Sequence, residues 1–289
     1  MRRSGQRLPR SITPPHKEPH ASAGLTEGCV SFGDLAEAMA SLGIDAVLIT
    51  SPGPAHEPAP RVMAAEQRLG HRRVRVGIMR RYEREYIKLK SLLDSGELGR
   101  PLTLHNRHRN PDSAPGFTSA MVINDSVAHE MDVIRWLPGQ EVTAVAVMRP
   151  RPSASAPEGL ADPQFVVFET EGSALVDVEI YVNARYGYQV QAEAVREDGT
   201  ARIGDRHDIL VNTGGRWGGT VTSGFVERFE EAYDRQVQAW VDATRRGGVT
   251  GPSVWDRYAV AAISEAGVRA QTVGRHIEGE LVDRPALYR

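Results

Sequence analysis

The sequence predicts an α/β segment followed by an α+β domain: a remnant of a parallel sheet, then a larger open-faced, mainly antiparallel sheet with helices on one side. Three observations carry this. Residues 44–49, Ile-Asp-Ala-Val-Leu-Ile, are the kind of continuous apolar run found in buried parallel strands. They end in the turn-rich Ser51-Pro-Gly-Pro-Ala-His56, at the strand edge where open α/β sheets bind ligands. A helical pattern at 62–69 then leads to a second strand, Val-Arg-Val-Gly-Ile-Met, at 74–79. From residue 164 the pattern becomes a meander, with strands at 164–170, 173–184, 188–196 and 200–203, and Glu171-Gly and Asp198-Gly marking tight turns.

The remaining elements follow in order. Residues 1–30, rich in Arg, Pro, Ser and His, read as a disordered tail, with Pro9, Pro14, Pro15 and Pro19 blocking any helix. Leu35, Met39 and Leu42 give a short amphipathic helix over 32–42. A helix over 86–93 should turn Ile87 and Leu92 inward and leave Lys88 and Lys90 solvated. The alternating stretch 102–108 is a strand that delivers His108 and Asn110 to its end. A loop over 111–121, a helix over 125–137, a strand over 141–148 and a Pro- and Ser-rich loop over 150–163 come next. A long helix over 225–244 carries Phe229, Tyr233, Val237 and Trp240 on one side and stops at Gly247-Gly248. The last helix spans 252–272 and the end is extended; Arg228 and Trp255 read as structural.

Composition narrows the function classes. The 289 residues are 40% hydrophobic and 25% charged, with a formal net charge of -2, as expected of a globular protein with a real core. No basic stripe with interleaved aromatics points to nucleic acid. The single cysteine, Cys29, excludes an internal disulfide and a cysteine-based metal cluster. No apolar run suits a membrane span, and the basic start lacks the apolar stretch of a secretory signal, so a cytoplasmic protein is expected.

The helix over 125–137 holds the candidate chemistry. Val127, Met131, Ile134 and Leu137 recur at helical spacing and give one buried face. Asp125 and His129 are four apart, which stacks a carboxylate against an imidazole, and Asp132 lies close enough to join them. A carboxylate that orients a histidine is the usual way to make a general base near neutral pH. Asn124-Asp125-Ser126 also fits a helix N-cap, in which Asp125 simply accepts terminal N–H groups. On spacing alone both readings stand.

A wider pattern surrounds this helix: Gly77-Ile-Met79-Arg80-Arg81-Tyr82, then Leu93-Asp94-Ser-Gly-Glu-Leu-Gly99-Arg-Pro101, then His108-Arg-Asn110-Pro, at short gaps. The series resembles the inositol 2-dehydrogenase branch of the glucose–fructose oxidoreductase/inositol dehydrogenase (Gfo/Idh/MocA) family, from about Phe32 to the C-terminus. The resemblance implies that His129 accepts the proton of the substrate hydroxyl and that Asp125 supports it. It places Met79, Arg80, His108, Asn110 and Tyr188, the last in Tyr186-Gly-Tyr188, around a polyol, and Ser51, Pro52 and His56 beside the nicotinamide of NAD or NADP. It also implies a homo-oligomer formed through the open sheet face. No metal is implied.

Two departures from the family stand out. No Gly-x-Gly-x-x-Gly follows a strand upstream of Ile44, the turn whose N–H groups cradle a pyrophosphate. Gly214-Gly-Arg-Trp-Gly218-Gly219 has the glycines at the wrong spacing and place. Only 24 residues separate Ile49 from Val74, where relatives fit a further strand and helix with a Glu-Lys-Pro whose lysine bonds the reacting hydroxyl. Lys17, Lys88 and Lys90 are the only lysines, and none fits that role. The expected organisation is therefore a tail at 1–30, a partial Rossmann-type nucleotide domain at 31–80, and a substrate and oligomerisation domain at 81–289. Two functions follow: an NAD(P)-dependent dehydrogenase of a myo-inositol-like polyol, impaired by the missing lysine and loop, or a non-catalytic relative that binds a polyol or assembles with other subunits.

Overall fold

A computed structural model describes residues 59–204, 211–214 and 216–289. The expected tail, the helix over 32–42, the strand over 44–49 and the site candidates Ser51, Pro52 and His56 lie outside the described residues. The chain divides into two compact units, whose described parts are 59–77, 237–258 and 283–289 in one, and 78–236 and 259–282, less the residues left out above, in the other.

In the smaller unit, helix α1 (Ala59–Leu69) packs Val62, Met63 and Ala65 with Val74, Val254, Trp255 and Tyr288. Glu66 on the same helix is fully buried. Its carboxylate accepts the N–H groups of Arg73 (2.6 Å) and Val74 (2.7 Å) and the hydroxyl of Tyr288 (2.5 Å). The strand expected over 74–79 does not form. Val74 makes only an isolated bridge, the N–H of Val76 bonds Pro252 O at 3.1 Å, and Ile78 takes a left-handed φ of 113°, which ends an extended run. The chain then winds into a 3-10 turn, Met79–Tyr82.

The larger unit is built on a seven-stranded sheet. Its strands are β1 (Pro101–Arg109), β2 (Val142–Met148), β3 (Gln164–Thr170), β4 (Leu175–Tyr181), β5 (Gln189–Arg196), β6 (Gly199–Ile203) and β9 (Ile277–Glu278). The spatial order is β6-β5-β1-β4-β3-β2-β9. The predicted meander is thus interrupted: β1 inserts between β4, to which it is parallel, and β5, to which it is antiparallel. Two short strands, β7 (Val211–Thr213) and β8 (Arg216–Gly218), pair separately. The last sheet hairpin turns at Glu197-Asp198, one residue before the expected Asp198-Gly, with Arg196 paired to Gly199.

Strand alternation gives the sheet two unlike faces. Leu104, Val176, Val178, Ile180, Val166 and Phe168 are buried on one face. The helices of this unit are α2 (Arg84–Ser95), the Ser119–Trp136 segment and parts of α5 (Phe225–Arg245) and α6 (Val254–Val273). Helix α2 buries Tyr86, Leu89 and Leu93 rather than the expected Ile87 and Leu92; Ile87 is exposed because Tyr86, two turns before Leu93, fixes the inward face. On α5, Phe229 is buried while Tyr233 and Val237 are exposed, so the expected four-residue apolar stripe is only partly used. Gly267 on α6 lies so close to Ile123 that a Cβ there would meet Ile123 Cγ2 at 2.8 Å. Only a glycine permits that approach. On the opposite face, Arg107, Asp177, Glu179, Gln191 and Glu193 line a cavity of about 230 Å³, and Arg109 on the same face pairs with Glu179.

Among the described residues, no helix is long and apolar enough to cross a membrane, and no group of three or more His, Cys, Asp or Glu residues could hold a metal.

Candidate active site

The Ser119–Trp136 segment is not one regular helix. It starts as α3 (Ser119–Met121), passes through a π-helical turn, Val122–Ser126, and continues as α4 (Ala128–Trp136). The N–H of Val127 bonds Val122 O at 3.0 Å, five residues back. Such turns recur at functional sites because they re-aim side chains without ending the helix. Val127, Met131, Ile134 and Leu137 are buried, as their spacing predicts.

Asp125 sits in the π turn and His129 in the first turn of α4, so the i,i+4 stacking of a uniform α-helix does not apply to them. Asp125 is exposed, His129 is partly buried, and no hydrogen bond joins the two. Nor does Asp125 cap the helix: Thr118 does so, its hydroxyl accepting the N–H of Met121 at 3.3 Å. Asp132 is fully buried and turns to Arg81, whose Nε donates to it at 2.7 Å while the guanidinium lies 5.8 Å over the Trp136 ring.

The residue that organises the site is Glu130, which the sequence pattern had not singled out. Its side chain is 1% exposed. One carboxylate oxygen takes Arg80 Nη1, and the other lies 3.2 Å from His108 Nδ1. Arg80 comes from the 3-10 turn and His108 from the end of β1, so three separate elements meet here. Arg80 Nη2 is also 3.3 Å from His108 Nδ1. The ring of Tyr188 stands edge-on to His108 with centroids 5.7 Å apart, and Phe229 backs Tyr188 at 6.2 Å. Arg80 lies 5.8 Å over Phe229.

The charges fit this packing. Burial pushes the Glu130 carboxyl up, but the Arg80 guanidinium and His108 outweigh it and hold it at about 2. Burial disfavours the Arg80 cation, yet Glu130 keeps its pKa above the ordinary value. Burial pushes the Tyr188 phenol up to about 12 against the pull of Arg80. His129 is pushed down to about 3, first by burial, then by Arg80 and His108 against the opposing pull of Glu130. Its imidazole is neutral at every physiological pH. It is able to accept a proton, but only as a weak base.

Of the other candidates, Met79 is buried in the main core cluster. Asn110 follows the end of β1, where its N–H bonds Tyr181 O at 2.9 Å and its carbonyl accepts the N–H of Ala184 at 2.8 Å. Its side-chain Oδ1 is buried without a hydrogen-bond partner among the described residues. That orphan acceptor lies two residues beyond His108, just past the end of β1.

A dinucleotide needs a helix N-terminus free to receive phosphate. At α2, Glu83 accepts the N–H of Tyr86 at 2.9 Å. At α5, Glu227 accepts the N–H and hydroxyl of Ser223, each at 2.8 Å. At α6, Asp256 accepts the N–H of Ser253 at 2.7 Å and its hydroxyl at 2.8 Å. Each of these ends already holds a carboxylate, which repels a second anion. They do not fit a pyrophosphate.

The GFO/IDH/MocA C-terminal domain matches residues 86–202. The inositol 2-dehydrogenase of Streptomyces avermitilis is 54% identical over 311 aligned positions, covering 99% of this chain and 90% of that protein. Those positions outnumber the 289 residues here, so the relative carries residues with no counterpart in this chain. Inositol 2-dehydrogenase 4 of Saccharopolyspora erythraea is 46% identical, covering 93% of this chain and 86% of that one. Among solved structures, myo-inositol dehydrogenase from Lactobacillus casei, in complex with NAD(H) and myo-inositol, matches with a TM-score of 0.83 at 28% identity, over 91% of this chain and 85% of that one. A chain that keeps this arrangement of strands and this degree of identity over nearly its full length belongs to the GFO/IDH/MocA family, alongside the inositol 2-dehydrogenases.

Proposed function

We propose that the chain is an NAD(P)-dependent oxidoreductase of the inositol 2-dehydrogenase type, acting on a secondary hydroxyl of a myo-inositol-like ring and impaired by the missing lysine and phosphate loop. The observation that carries the reading is the gathering of Arg80, His108 and Tyr188 around Glu130, with His129 within reach of the same charges. A polyhydroxylated ring is held by several convergent polar groups. Met79, Arg80, His108, Asn110 and Tyr188 supply the walls and donors, and the unpaired Asn110 oxygen is an acceptor awaiting a hydroxyl.

His129 takes the hydroxyl proton and Asp125 supports it. With an imidazole at about 3, proton transfer is poorly matched to neutral pH. An Asp125–His129 hydrogen bond made on substrate binding would raise it toward the neutral range. The proton side of the reaction is what the described residues can perform. The pyrophosphate has no seat among the described helix ends named above, and NAD(H) enters the reading through the family alone.

The open face of the sheet suits pairing with a second copy. Its alternating Arg, Glu and Gln rows can meet the complementary rows of an identical face.

The test combines turnover and binding. Myo-inositol with NAD or NADP should give slow but measurable cofactor reduction, and His129→Gln should lower kcat by about 10² to 10⁴. Unchanged turnover in that variant would remove the base assignment. Titration with NADH by fluorescence decides the other reading, which the carboxylate-capped helix ends favour. Micromolar binding supports the enzyme. No binding at millimolar cofactor leaves a polyol-binding or assembly subunit.

A further inference from the structure

We propose that Glu130 is a positioning residue that fixes the tautomer of His108, keeping the proton on Nδ1 so that Nε2 is a lone-pair acceptor for a substrate hydroxyl. The role given to that lone pair rests on the inositol reading above; the position of the proton does not.

His108 Nδ1 has two neighbours that ask opposite things of it. Arg80 Nη2, at 3.3 Å, can only donate, and would need a lone pair on Nδ1. Glu130, at 3.2 Å, is an ionised carboxylate that can only accept, and would need a proton there. The carboxylate decides the matter for two reasons. Its charge is concentrated on two oxygens, whereas the guanidinium spreads its charge over three nitrogens. A lone pair on Nδ1 would also face a buried anion, leaving one carboxylate oxygen without its donor, and buried charges are costly unless every such position is satisfied. Arg80 keeps its ion pair whichever ring nitrogen is protonated, since its Nη1 is bound to the same Glu130.

The ring cannot easily turn to change partners. Tyr188 meets it edge-on, with planes at 78°, and His108 is 3% exposed. With Nδ1 committed, Nε2 has no hydrogen-bond partner among the described residues. Two residues on, Asn110 Oδ1 is a second acceptor without a partner among the described residues. Acceptors at both places match a ligand that offers O–H groups, as a cyclic polyol does. They disfavour a ligand that presents carboxylate or phosphate oxygens to the same positions. His108 thereby becomes a reader of hydroxyls rather than a second base beside His129.

The tautomer can be read in the full-length free protein by long-range ¹H–¹⁵N correlation of the imidazoles, with the His108 signals among the nine histidines assigned by their loss in His108→Gln. The expected spectrum has a protonated-type shift at Nδ1 and a lone-pair-type shift at Nε2. Glu130→Gln should reverse it, because the new amide can donate to Nδ1. Glu130→Asp, which keeps the charge, should restore the original form at least in part. The proton found on Nε2 in the unmodified protein, or averaged signals, would overturn the proposal, as would a tautomer indifferent to Glu130→Gln. If that variant does not fold, the unmodified spectrum decides alone. Failure of inositol turnover or NADH binding would leave this result untouched, so the two readings fail separately.

Discussion

Two neighbouring carboxylates on one helical segment, Asp125 and Glu130, show how differently spacing and tertiary packing assign partners. Asp125 has the sequence spacing for a histidine partner but is exposed and unbonded to it. Glu130 has no partner in its own helix and is the best-satisfied charge of the site, held by residues 50 and 22 positions earlier. The difference lies in the turn between them. The π winding over Val122–Ser126 leaves Asp125 on the rim, while the α-helical continuation drives Glu130 inward. Local periodicity governs a uniform helix; where the winding changes, the contacts from other elements decide.

The largest effect should come from breaking the satisfied member. Arg80→Met leaves Glu130 ionised and buried without its cation, and removing one partner of a buried pair typically costs about 3 to 5 kcal/mol. Urea unfolding followed by tryptophan fluorescence would report it. The double variant Arg80→Met with Glu130→Gln should recover most of that loss, since no buried charge then lacks a partner. If the double is as weak as the single, the cluster is held by shape rather than charge. The pH dependence has a definite sign. Glu130 titrates below its ordinary 4.5, so its contribution is complete above pH 4.5 and is lost as pH falls toward about 2.

His129 supplies the intermediate case, since it is the histidine the spacing argument chose. Its folded-state pKa of about 3 lies below the ordinary 6.5. Between those values the unfolded chain takes up a proton that the folded protein refuses. Its contribution is therefore intact above pH 6.5 and declines as pH falls, by up to roughly 1.4 kcal/mol per pH unit. In the window from pH 6.5 to 5, above the range of Glu130, His129→Gln should show a flatter decline in unfolding free energy than the unmodified protein. Equal slopes would place the imidazole in water rather than beside Arg80.

Much of this was legible beforehand, and what was missed has identifiable causes. The stripe Val127, Met131, Ile134 and Leu137, the strand over 102–108 and the alternation in 164–170 depend on near neighbours in sequence, and each formed within a residue or two. The insertion of β1 between β4 and β5 depends on a long-range parallel pairing that no local pattern encodes. The strand at 74–79 had the right residues, but Val76 takes a loop carbonyl, that of Pro252, and Ile78 turns left-handed. Glu130 did leave a trace. It lies three residues after Val127 and four before Ile134, on the apolar stripe, where an acid must have a distant partner.

The smallest expected effect sharpens the comparison from the other side. Asp125→Asn removes an exposed carboxylate that caps no helix and bonds no histidine in the free protein, so unfolding free energy should change by no more than about 0.5 kcal/mol. Its effect on turnover should be much larger if Asp125 engages His129 once the polyol is bound, because the imidazole then needs the carboxylate to approach neutral basicity. A stability-neutral variant with a large loss in kcat would mark Asp125 as acting only in the bound state. A variant neutral in both would leave His129 without its acid, and Glu130 as the one carboxylate of this segment that shapes the site.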